Sequence, residues 1–189
     1  METPTTLPVQ NATKVATKWA LIYTITAIVI TYICQFLNVD LDSPAKYITY
    51  IPFIAFLLLA QKEYKDQLGG YISFGNGFSA GFRYAVFAGL LIAVFSYLYL
   101  TVLSPEVWTK VLETTRTKLE DNKNMSAAQV DKAMEITQKW GPLMGAFFAA
   151  IAYAIFGAIL SLVGAAIFKK ERSPYDIAQD AIDPNETTV

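Results

Sequence analysis

Four runs of this chain carry no charged side chain, and they decide what it can fold into. They are residues 19–39, 47–61, 84–105 and 141–168. A helix crossing a hydrocarbon layer about 30 Å thick needs about 20 apolar residues. The first, third and fourth runs reach that length. The second, with 15 residues, reaches it when Lys46 and Lys62 at its ends extend their ammonium groups to the headgroups. Lipid offers no partner for backbone N–H and C=O groups, so spans of this length are helical. The expected fold is all-α. It is a polytopic membrane protein with four transmembrane helices at about 16–37, 44–64, 74–103 and 142–168, and an extramembrane helical hairpin, 105–140, between the third and fourth.

Composition agrees. Only 16% of the 189 residues are charged, against about 25% in soluble domains. Net charge is −1, with no basic patch of the size that nucleic acid requires. Histidine is absent and the single cysteine, Cys34, lies inside the first run. Disulfides within the chain, Cys/His metal centres and histidine acid–base chemistry are thereby excluded, and no cofactor is expected. Lys14 and Lys18 before an apolar stretch have the outline of a secretory signal. The run is too long for one, however, and no small-x-small cleavage site follows, so an uncleaved first span is expected.

Along the chain, residues 1–13 are polar, contain Pro4 and Pro8, and are expected to be a disordered lead-in. Trp19 is an interfacial anchor of the first span. Ser43-Pro44 reads as a cap and first helical residue, and Pro52 is expected to kink the second helix. Gly69-Gly70 breaks the chain before the third.

The third helix organises the rest. Gly77, Gly81, Ala85, Gly89 and Ala93 put a small residue at every fourth position, which stacks them on one face. Small faces of this kind let membrane helices approach closely. The fourth span carries the matching residues Gly145, Ala149, Gly157, Ser161 and Ala165, so helices three and four are the natural pair, with a homodimer through helix three as the alternative. Arg83 is the only ionisable residue in this stretch. About 30 Å of helix lies between it and Leu103 at 1.5 Å per residue, which puts Arg83 at the membrane boundary, as a contact for lipid headgroups or an anionic ligand. Tyr71 is a further interfacial anchor.

Ser104-Pro105-Glu106 opens the hairpin, whose first helix has Val107, Trp108, Val111, Leu112 and Leu119 on one face. Ser126 and Gln129 fit a capping box for the second. Gly141-Pro142 is expected to end it, and Trp108 and Trp140 to anchor it at the interface. Lys169, Lys170 and Arg172 stop the fourth span, and residues 171–189 form an acidic tail. Basic residues near helix ends favour the side carrying both termini, which the positive-inside rule places in the cytoplasm of an inner membrane.

The segment YISFGNGFSAGF, the span ending YLYL, the run from SPEVWTKVLE to EITQKWGP, and a Gly/Ala-rich fourth span ending in Lys-Lys together resemble a known membrane family. It is catalogued as domain of unknown function 4199 and is found in Bacteroidota. The similarity covers about residues 14–170. It implies a four-helix inner-membrane protein and brings no activity, so no functional residue is carried over.

No Asp or Glu lies within the four runs, where an ion-coupled carrier would need one. Histidine is absent, and Ser96 and Ser161 have no charged neighbour in sequence to activate them. The expected function is therefore that of a non-enzymatic accessory or scaffold subunit. Its expected partners are the lipid bilayer and either a second copy or another membrane protein. A small oligomeric channel or carrier for a solute or amphiphile is the alternative.

Overall fold

The structure, a computed structural model, describes residues 11–37, 44–121 and 125–171. The expected lead-in up to residue 10, the loop 38–43, the hairpin turn 122–124 and the tail from 172 lie outside the described residues. The helices are α1 (Ala12–Phe36), α2 (Tyr50–Gln67), α3 (Phe74–Leu98), α4 (Pro105–Glu120) and α5 (Ala127–Phe168). A 3-10 segment, Pro44–Thr49, precedes α2, and a π turn, Tyr99–Leu103, closes α3. Among the described residues the only β pairing is a single bridge, Ile72 with Lys170. Three helical stretches, Ala12–Phe36, Phe74–Leu103 and Ala127–Phe168, are long and apolar enough to cross a membrane.

Three boundaries differ from the sequence expectation, each for a local reason. α1 begins at Ala12 because the Asn11 side chain accepts the Thr13 N–H at 2.9 Å, satisfying one of the donors that a helix start leaves open. Pro52 falls in the first turn of α2, where a missing N–H is tolerated. The irregularity expected there appears instead as the change from 3-10 to α winding at Thr49–Tyr50. Gly141-Pro142 does not end a helix. α5 runs unbroken through both for 42 residues, so the hairpin's second arm and the last apolar run are one element.

The chain divides into two units, residues 1–85 with 156–189, and residues 86–155. In the first unit α1 and α2 run antiparallel. Glu63, near the end of α2, accepts from Lys18 Nζ at 2.6 Å and from Trp19 Nε1 at 2.7 Å, both near the start of α1. α2 stops in a Schellman arrangement, with Gly70 N–H donating to Lys65 and Gly69 N–H to Asp66. Both glycines have positive φ, 75° and 83°, a region that side chains with a Cβ avoid. The strand-like step after them pairs Ile72 with Lys170 through two backbone hydrogen bonds of 2.8 and 3.0 Å, bringing the start of α3 to the end of α5. Four rings fill the interior: Tyr23, Phe53, Tyr84 and Phe156, with Phe53 at 5.3–6.0 Å from the other three. Tyr84 Oη donates to the Phe53 carbonyl at 3.1 Å.

In the second unit the π turn ends where Ser104 N–H donates to Tyr99 at 2.8 Å. Pro105 then starts α4, whose first turn forms as Val107 N–H donates to Ser104 at 3.0 Å. Ser126 N–H donates to Gln129 Oε1 at 2.8 Å at the head of α5, one half of the capping box that the spacing predicts. Arg116 of α4 reaches Glu120 at 2.8 Å and Asp131 of α5 at 2.9 Å. The hydrogen bond to Glu120, then the charge of Asp131, hold its guanidinium above its ordinary pKa.

Candidate functional site

Two polar side chains of the first unit are fully enclosed, Ser161 on α5 and the amide of Gln61 on α2. Gln61 is the one that joins helices. Its Nε2 donates to the carbonyls of Gly77 on α3 and Ser161 on α5, both at 2.9 Å. One side chain thus holds three helices. Ser161 Oγ donates back to Gly157 at 2.6 Å. Among the described residues Gln61 Oε1 has no N–H or O–H partner. A Cβ built on Gly164 would overlap it, so the oxygen lies along that glycine's Cα–H bond, the geometry of a weak C–H···O contact.

Room for the amide comes from missing side chains. A Cβ on Gly81 would stand 2.6 Å from both Gln61 Nε2 and Ser161 Oγ. The same close approach repeats along α3 and α5. Gly77 would meet Ala165 at 3.3 Å, and a Cβ on Gly157 would overlap Ala85. Each step of four residues up α3 is matched by a step of four down α5, as antiparallel helices demand. In the second unit Gly89 would meet the Tyr153 side chain at 3.0 Å and the Ala150 carbonyl at 3.1 Å. Ala93 is buried there and Ala149 is half-buried.

Gly145, expected on the packing face, is not on it. It is exposed and nothing lies within 4 Å of where its Cβ would be. Its partner in the four-residue register would be Tyr97, where the small residues of α3 have run out.

Arg83 is exposed and donates from Nη1 to Thr13 Oγ1, in the first turn of α1, at 2.8 Å. It does not approach Gln61 in any described contact. The interfacial aromatics have specific neighbours. Trp19 is held by Glu63 and stacks on Phe56 at 5.6 Å. Tyr71 lies under the Lys170 ammonium at 4.9 Å. Trp108 sits over Gly141, where a Cβ would come within 2.5 Å of its ring. Trp140 is about half exposed, with Lys139 Nζ 5.8 Å from its ring.

Gln61 and Glu63 are the residues that sequence reasoning missed. Gln61 stands at the end of a charge-free run and reads there as the start of a polar connector. Its acceptors lie 16 and 100 residues away, and no local pattern encodes them. Glu63 bonds residues 44 and 45 positions earlier. Among the described residues no three His, Cys, Asp or Glu side chains gather as a metal site would require.

Comparison with known proteins adds the family. Searches of curated proteins and of solved structures returned no match. Residues 18–170 match a family described as a protein of unknown function, with helices long and apolar enough to span a membrane. The chain belongs to that family, DUF4199.

Proposed function

We propose that this protein is a non-enzymatic integral inner-membrane protein, an accessory or scaffold subunit. In this reading α2 with its 3-10 lead is a fourth crossing, both termini are cytoplasmic, and α4 with the start of α5 stands on the outer face. The observation that carries the reading is the interior of the first unit. It is filled by rings, glycine contacts and one enclosed amide, the packing chemistry of a structural membrane protein.

The fourth crossing is supported by the return of the chain. It leaves the level of Lys18 along α1 and is back at Glu63, which bonds Lys18. The 3-10 segment and α2 together make about 39 Å of helix at 2.0 and 1.5 Å per residue, long enough to recross. Orientation is supported by charge. Lys14, Lys18, Lys62, Lys65, Arg83, Lys169 and Lys170 adjoin span ends on the side of the termini, whereas most basic residues of the second unit lie in α4 and the start of α5, away from span ends. The richer end belongs on the cytoplasmic side.

Crosslinking in native membranes, then purification in mild detergent, is expected to recover a stoichiometric complex with a second copy or another membrane protein. Recovery of the monomer alone overturns the scaffold role. Solute flux through reconstituted vesicles above that of empty ones would assign a carrier instead.

A further inference from the structure

Among the described residues, one end of the first unit carries several cations without an ion-pair partner. Two of its three described acids are taken, Glu63 by Lys18 and Glu171 by Lys169. Lys14, Lys62, Lys65, Arg83 and Lys170 remain against Asp66. These residues share one end of the unit, because Lys18–Glu63 joins the start of α1 to the end of α2, and Ile72–Lys170 joins the start of α3 to the end of α5.

Arg83 is the deepest of them. Its Cα lies nine residues into α3, about 13 Å along the axis from the helix start, yet its guanidinium reaches the first turn of α1 at Thr13. A side chain rooted below the surface and extended to it is the snorkelling geometry of a cation at a headgroup boundary. Among described contacts only one of its five N–H donors is engaged. Lys14, exposed, follows Thr13 in the chain. The stacked rings of Phe78 and Phe82, 5.6 Å apart, precede Arg83 on α3, and Phe82 is exposed.

We propose that this end of the first unit binds an anionic phospholipid, with Arg83 and Lys14 holding the headgroup phosphate. Complementary charge selects the occupant, since planar guanidinium donors match phosphate oxygens and basic clusters at the cytoplasmic boundary recruit anionic lipids. The inference needs the chain to lie in a membrane and is independent of the scaffold role.

The test titrates delipidated full-length protein in detergent with dioleoyl phosphatidylglycerol or dioleoyl phosphatidylcholine, reading bound lipid by native mass spectrometry and stability by thermal unfolding. Wild type is expected to retain phosphatidylglycerol in preference. Lys14→Gln should weaken that preference about fivefold, the worth of one cation near an anionic headgroup, and Arg83→Gln should weaken it at least as much. Arg83→Lys should restore part of it, and the hairpin variant Lys132→Gln/Lys139→Gln should leave it intact. If Arg83→Gln fails to fold, Lys14→Gln with Lys170→Gln carries the test, because neither change touches the Arg83–Thr13 bond. Equal retention of both lipids by wild type overturns the proposal, as does unchanged preference in the variants. Displacement of the lipid by inorganic phosphate, with equal stabilisation, would assign the site to a soluble anion and overturn it too.

Discussion

At Gln61 the geometry makes a sharp distinction between glycines that look alike in sequence. Gly164 and Gly81 face an amide that is fully enclosed and held by two hydrogen bonds, so an added methyl has nowhere to go. Gly164→Ala is expected to lower unfolding stability by about 1–3 kcal/mol, the usual range for overpacking. Gly75→Ala, in open space on the same helix as Gly81, should be neutral or stabilising by up to about 1 kcal/mol. Thermal unfolding in detergent of the two variants checks both signs. Gln61→Leu is the companion measurement. It removes the donor from two carbonyls that already belong to helices, so its cost should stay near the roughly 0.6 kcal/mol average for membrane hydrogen bonds. In the Gln61→Leu background the Gly164→Ala penalty should also shrink, since the oxygen it strikes is gone. An undiminished penalty in the double variant would mean that the clash lies elsewhere.

Helix by helix, the same local signal can serve different ends. Gly141-Pro142 has the chemistry of a breaker, and α5 passes through it. The glycine is there for the Trp108 ring, which occupies the space a Cβ would take, and a tertiary need of this kind leaves no trace in nearby sequence. The proline only removes one donor, toward the Gln138 carbonyl, in a helix held on both sides. Gly141→Ala should therefore displace Trp108 and shift tryptophan fluorescence while far-ultraviolet helicity stays constant. Pro142→Ala should slow amide exchange near residues 138–146 without changing the helix ends. By contrast, the spacing of Gly77, Gly81 and Ala85 could be read directly. The helical period alone puts them on one face, and Ala165, Ser161 and Gly157 stand opposite at the same interval. Gln61 could not be read, because its role depends on three helices meeting. Gly145 shows the limit of spacing from the other side, since a small residue on the right face packs only while its partner helix remains small.

For the molecule as a whole, the contacts Lys18–Glu63 and Ile72–Lys170 predict where chain segments lie relative to a bilayer. In a Cys34→Ser background, cysteines placed at Lys14 and at Glu171 should react with an impermeant maleimide from the same face, and one placed at Lys132 from the opposite face. Reaction of the Lys14 and Glu171 positions from different faces would remove α2 as a crossing. The ion pairs of Arg116 add little to this arrangement. Arg116 and its partners are exposed, and such pairs contribute weakly. Its raised pKa keeps the guanidinium charged, so its contribution is present below the ordinary arginine range and is lost only above it. Alkaline titration through the physiological range should leave the contact between α4 and the start of α5 unchanged.

The bond from Gln61 to Ser161 also sets a schedule. The acceptor is made 100 residues after the donor, and translation runs at about 5–20 residues per second, so α2 waits roughly 5–20 s for its last anchor. During that wait the Gly77 carbonyl, only 16 residues on, is the partner within reach. A nascent chain arrested before Ser161 should therefore hold α2 against α1 and α3 only, open to protease and to membrane chaperones on its remaining side, and should become resistant when the final helix emerges.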